Sequence, residues 1–147
     1  MTARRPGGRT LAVDLGTRRV GVAVSDSAGA LAFPYATFER SSDPATDAAA
    51  IARALEETGA TTVVVGLPLS LDGSAGPAAE AARVWAEDLA GHLGAVEVVL
   101  FDERLTTVSA AAGLAAAGRR GRGARARVDS AAATVLLQSW LDAGAPR

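Results

Sequence analysis

Two Val-rich runs, residues 10–15 and 20–25, are separated by only four residues, "GTRR". So short a connection cannot carry the chain back to begin a parallel strand, so the two runs must pair antiparallel as a hairpin. The later apolar runs obey the opposite constraint. "TTVVVGL" at 61–67 and "VEVVLF" at 96–101 each follow a long stretch with helical start and stop signals. Strands joined through helices favour parallel pairing with right-handed crossovers. Between the two regimes lies "LAFPYATF" at 31–38, a third strand whose Pro34 requires a sheet edge or a bulge. The chain is therefore expected to build one mixed sheet.

The helical stretches carry their own punctuation. "SDPATDAAAIARALEETG" opens on Ser and Asp caps with Pro44 and closes on Gly59. "GPAAEAARVWAEDLAGHLG" is amphipathic, with Ala81, Trp85, Leu89 and Leu93 expected on its apolar stripe. "TVSAAAGLAAAG" and "VDSAAATVLLQSWL" read as two further helices. The expected order is β-β-β-α-β-α-β-α-α, an α/β fold of five strands: an antiparallel meander, then parallel strands, flanked by helices. With 147 residues and no repeat or linker, one domain is expected over 10–142, with a flexible tail at 1–9 and a C-terminal tail at 143–147.

Composition narrows the chemistry. There is no cysteine, which excludes disulfides and thiolate metal sites. No apolar run approaches the roughly 20 residues of a membrane span, and "MTARRPGGRT" lacks the apolar core of a secretory signal. A cytoplasmic location and no membrane partner are expected. All 15 basic residues are arginine on a chain of formal charge −1. "GRRGRGARARV" at 118–128 gathers Arg119, Arg120, Arg122, Arg125 and Arg127 with no acid. Such a segment suits a phosphate backbone, although a solvated loop explains the same residues.

Three acids stand at the ends of elements. Asp14 ends the first strand, Glu103 follows the last, and Asp129 opens the final helix. In parallel sheets, ligand sites form beyond the carboxyl ends of strands. Singly, each has a plain structural explanation: an Asx-turn, a solvated acid, a helix cap. One metal site accounts for all three placements. Clustered carboxylates repel unless a proton or a cation intervenes, and oxygen donors without Cys or His select Mg²⁺ or Mn²⁺.

"VDLGTRRVGVAVSD", "VVVGLPLSLDG", "FDERLTTVSA" and "RVDSAAATVLLQSWL" together resemble the four sequence blocks of the YqgF/RuvX family. That family is assigned to pre-16S rRNA processing and is related to Holliday-junction resolvases. The resemblance runs from about Leu11 to Leu141 in matching order. It implies an RNase H-like fold and metal-dependent hydrolysis of phosphodiester bonds. Its acids fall on Asp14, Glu103 and Asp129, with Asp14 bridging two ions and the other two completing their shells. Its arginines fall on Arg19 and Arg104, as phosphate clamps. With Arg119, Arg120, Arg122 and Arg125 these form the expected nucleic-acid contacts. The implied substrate is the 5′ end of precursor 16S rRNA, with four-way DNA as the alternative, and the assembly a monomer or homodimer.

Rival classes fit less well. "DLGT" is also similar to the phosphate loop of actin-like kinases, which need a second lobe and a second Gly-rich loop. A non-catalytic nucleic-acid-binding module would gain nothing from clustered acids. His92, Asp72, Asp102, Trp85 and Trp140 read as structural residues rather than site residues.

Overall fold

The computed structural model describes residues 8–70, 72–103 and 130–146. Strands β1 (Arg9–Leu15), β2 (Arg19–Ser25) and β3 (Ala32–Glu39) lead into helix α1 (Pro44–Thr58). Strand β4 (Ala60–Leu67), helix α2 (Pro77–Leu93), strand β5 (Glu97–Asp102) and helix α3 (Ala131–Asp142) follow. The five strands form one mixed sheet in the order β3-β2-β1-β4-β5. As the connections require, β1–β2 and β2–β3 are antiparallel while β1–β4 and β4–β5 are parallel. The expected helix around 107–118 lies outside the described residues.

Local chemistry sets the boundaries. The hairpin turn closes with Gly16 N–H donating to the Arg19 carbonyl at 2.9 Å. A Cβ on Gly16 would stand 2.8 Å from that oxygen, so the turn needs glycine. Asp43 caps α1 by accepting from Ala45 N–H at 3.0 Å, and Pro44 occupies the first turn. Gly59 ends the helix in the left-handed conformation at φ 74°. Pro34 sits on the edge strand β3 and also beside a register shift, since Val22 faces Ala36 while Ala23 faces Pro34.

Alternation along the strands divides the core into two layers. Leu11, Val13, Val20, Val22, Val63 and Val65 face α1 and α2, where Ile51, Leu55, Trp85 and Leu89 complete the packing. Ala12, Ala23, Val64 and Phe101 face α3, against Leu136, Leu137 and Trp140. The small side chains of Ala12 and Ala23 leave room for the fully buried Trp140. The stripe of α2 differs from expectation: Ala79, Ala82, Trp85, Ala86 and Leu89 are buried, whereas Ala81 is exposed. Alanine gives little hydrophobic contrast, so the tilt of an Ala-rich helix is decided by its large residues, here Trp85 and Leu89.

Helix α3 starts at Ala131 with Ser130 as the preceding cap residue. Its Gln138 side chain accepts from Ala32 N–H at 3.0 Å and donates to the Ala30 carbonyl at 2.9 Å. These contacts lie beside the β2–β3 turn, at the sheet edge opposite Asp14, so α3 directs its N-terminal end toward the Asp14 edge. Residues 143–146 fold back onto the helix: Trp140 Nε1 donates to the Pro146 carbonyl at 2.7 Å and Ala145 is buried.

Candidate nuclease site

The site begins with strand parity. On β1, Ala12 faces α3 and is buried, and Asp14, two residues on, faces the same side at the sheet edge. On β4 the equivalent pair is Val64 and Gly66, and on β5 it is Phe101, with Glu103 two residues beyond. The last paired residues of β1 and β4 are Val13 and Val65, which places Asp14 and Gly66 side by side. Gly66 in turn faces Phe101. Asp14, Gly66 and Phe101 thus form a row across three neighbouring strands at their carboxyl ends, and the side chain of Glu103, two residues past Phe101, reaches back over Gly66 into it.

Within that row the two carboxyls hydrogen-bond to each other. Both residues are half-buried. Loss of solvent, the hydrogen bond to Asp14 and the nearby charges of Asp14 and Asp102 push Glu103 from the ordinary carboxylate range up to about 7. Ionising Glu103 beside Asp14 would place like charges in contact, which is why its proton is held. A hard divalent cation can replace that proton and satisfy both groups, and an oxygen-only donor set fits Mg²⁺ or Mn²⁺.

Arg19 opens β2 two residues before Gly21, the partner of Asp14. Parity with Gly21 and Ala23 places it on the α3 face, at the same edge as the acids. Asp129, Arg104, Arg119, Arg120, Arg122 and Arg125 lie outside the described residues. Among the described residues, no three His, Cys, Asp or Glu side chains form a group able to hold a metal ion. Asp14 and Glu103 are the two expected ligands that the described residues contain.

Asp72, His92, Trp85 and Trp140 make contacts that serve the fold. Asp72 Oδ1 accepts from Ser74 N–H at 2.9 Å and Ser74 Oγ at 2.7 Å, shaping the loop before α2. His92 contacts the Asp88 carbonyl through Nδ1 at 2.8 Å. Trp85 and Trp140 are core residues.

Two contributors were not among the expected site residues. Gly66 interrupts the run "VVVGL", and an isolated glycine within a strand marks close approach by another group. Arg40, just past β3, donates from Nη1 to the Gly16 carbonyl at 3.0 Å and from its backbone N–H to the Arg18 carbonyl at 2.8 Å. It ties down the turn that follows Asp14. No local pattern distinguishes Arg40 from the other arginines.

The chain matches a family model described as RuvX, Holliday junction resolvase, over residues 8–143. A protein of Kineococcus radiotolerans is 50% identical over 139 residues, spanning 95% of this chain and 73% of its own length. One of Myxococcus xanthus is 49% identical over 138 residues, 94% of this chain and 90% of its own. Both carry the provisional name pre-16S rRNA nuclease. Among solved structures, RuvC of Thermus thermophilus superimposes with a TM-score of 0.55 at 16% identity, over 93% of this chain and 97% of that one. The same resolvase in complex with Holliday junction substrate gives 0.52 at 13% identity, over 94% and 97%. At such identities the likeness shows the fold, which is RNase H-like. With the family model spanning nearly the whole chain and half-identical relatives beside it, the chain belongs to the RuvX family of nucleases.

Proposed function

We propose that the chain is a divalent-metal-dependent nuclease that hydrolyses phosphodiester bonds in precursor 16S rRNA, at its 5′ end. The observation that carries this reading is the Asp14–Glu103 pair, two carboxyls in hydrogen-bond contact at the carboxyl edge of a parallel sheet. The names of the relatives supply the substrate.

Asp14 and Glu103 would hold the metal, joined by Asp129 from the start of the last helix. When bound, one or two such ions polarise the scissile phosphate and lower the pKa of an attacking water. The protein's own groups do the remaining work. Glu103 gives up its proton, so that its carboxylate becomes available as a ligand beside that of Asp14. Arg19, on the same face and edge, is placed to pair with a phosphate oxygen through its forked donors. Arg40 fixes the Gly16–Arg19 turn and so the spacing between Asp14 and Arg19. Arg104 and the arginines of 118–128, outside the described residues, would add positive charge suited to a phosphate backbone.

The family description favours a second reading, cleavage of four-way DNA junctions. One preparation, assayed with Mg²⁺ or Mn²⁺ on precursor 16S rRNA and on a four-way DNA junction, separates the two. Cleavage of the RNA that Asp14→Asn abolishes supports the proposal. Cleavage that survives Asp14→Asn or a chelator overturns it.

A further inference from the structure

We propose that Gly66 is a positioning residue whose missing side chain is the gap through which Asp14 and Glu103 meet. The inference rests on the nuclease reading and assigns a task to a residue with no chemistry of its own.

Neighbouring strands are about 4.8 Å apart, so β1 and β5 stand roughly 10 Å apart with β4 between them. Asp14 belongs to β1, and Glu103 extends β5. Their carboxyls reach each other across the intervening strand at the level where β4 presents Gly66. A Cβ at this position would collide with Oε1 of Glu103 and would lie 3.0 Å from its Cδ and Cγ. All three nearest atoms belong to that one side chain. The glycine is not required by a left-handed backbone, since its φ is not among the positive values. It is required by what crosses above it. Alanine would fit the strand, but Glu103 would have to swing away from Asp14.

The test is a double-mutant cycle over Gly66→Ala and Glu103→Ala, read in three ways. Thermal unfolding with a chelator present reports the steric contact irrespective of metal. Gly66→Ala should lower Tm when Glu103 is present and leave it unchanged when Glu103 is replaced by alanine. Calorimetric titration with Mn²⁺ reports the displaced ligand. Gly66→Ala should weaken binding about tenfold or more, the usual scale for a group that orients a ligand, and add nothing in the Glu103→Ala background. On precursor rRNA, kcat should fall by a similar factor while KM stays within about twofold, because the substrate-binding arginines are untouched.

Equal effects of Gly66→Ala in both backgrounds would overturn the proposal, since the glycine would then serve the strand itself. So would Mn²⁺ affinity at the parent's level in Gly66→Ala. A parent chain that binds no Mn²⁺ would defeat the nuclease reading instead, and the chelator-held unfolding cycle would still decide whether Gly66 accommodates Glu103.

Discussion

Glu103 and Asp14 hydrogen-bond to each other although their strands, β5 and β1, are separated by β4. The contact makes stability depend on pH in a direction that can be stated. Glu103 is raised from 4.5 to about 7 in the folded chain, so the native state retains a proton that the unfolded chain has already released. The folded state binds more protons through this window, and stability falls as pH rises across it. With a chelator present, unfolding free energy should decline from about pH 4.5 to about pH 7 and then level off. Glu103→Gln should remove that decline. At pH 8 it should leave the metal-free chain more stable than the parent by about 1–2 kcal/mol, allowing for solvent screening of a half-buried group. Urea titrations at several pH values measure both effects.

A second acid is buried for a different purpose. Asp47 is 1% exposed, accepting from Trp85 Nε1 at 3.0 Å and from Ser41 N–H at 2.9 Å. It joins α1 to α2 and fastens the loop that carries Arg40. Trp85→Phe keeps most of the packing but leaves one carboxylate oxygen without its donor. The expected cost is about 1–3 kcal/mol in urea unfolding, the scale for an orphaned buried acceptor. Cleavage activity at low temperature should change little.

Much of the fold was legible because its signals are local. The four-residue "GTRR" connection forces a hairpin, Asp43, Pro44 and Gly59 delimit α1, and Pro34 marks β3 as an edge. Asp14 and Glu103 were legible as acids at strand ends, and the sheet order brings them into contact. Less local features were not. The buried face of α2 was misplaced at Ala81 because alanines give no contrast around the helix. Asp47 reads in sequence as an ordinary first-turn acid, since its burial depends on Trp85, 38 residues away. Gly66 looks like a flaw in a valine run until the Glu103 side chain is seen to lie over it.

One indole helps to bind residues 143–146 to the core. Trp140 is fully buried and donates to the Pro146 carbonyl at 2.7 Å. Trp140→Ala should destabilise by about 3–5 kcal/mol, as for other large aromatic truncations in a packed core. Ending the chain at Asp142 removes the acceptor and the buried Ala145, and should cost about 1–3 kcal/mol. Thermal and urea unfolding of the two variants give these values directly.

The arginines of 118–128 lie outside the described residues, but their charge leads to a measurable expectation. If they track a phosphate backbone, affinity for duplex nucleic acid falls with salt at a log–log slope of about −0.9 per phosphate neutralised. Replacing Arg119, Arg120, Arg122 and Arg125 with Gln should flatten that slope and raise Kd with little change in Tm. Sequence preference should barely move, because backbone contacts do not read bases. An unchanged slope in the quadruple variant would show that the segment only connects its neighbours.

Strand β3 leaves one margin of the sheet open, and Leu31 and Phe33 stand exposed beside it. A flat margin of that kind is an adhesive template for any other extended chain. Here Pro34 supplies no donor, the register shift beside it breaks the regular spacing, and the Gln138 amide already occupies the Ala30 carbonyl and the Ala32 N–H. The margin is thereby blunted against strand addition. Over the stretch from Ala30 to Pro34, another extended chain therefore meets an interrupted ladder rather than a ready row of partners.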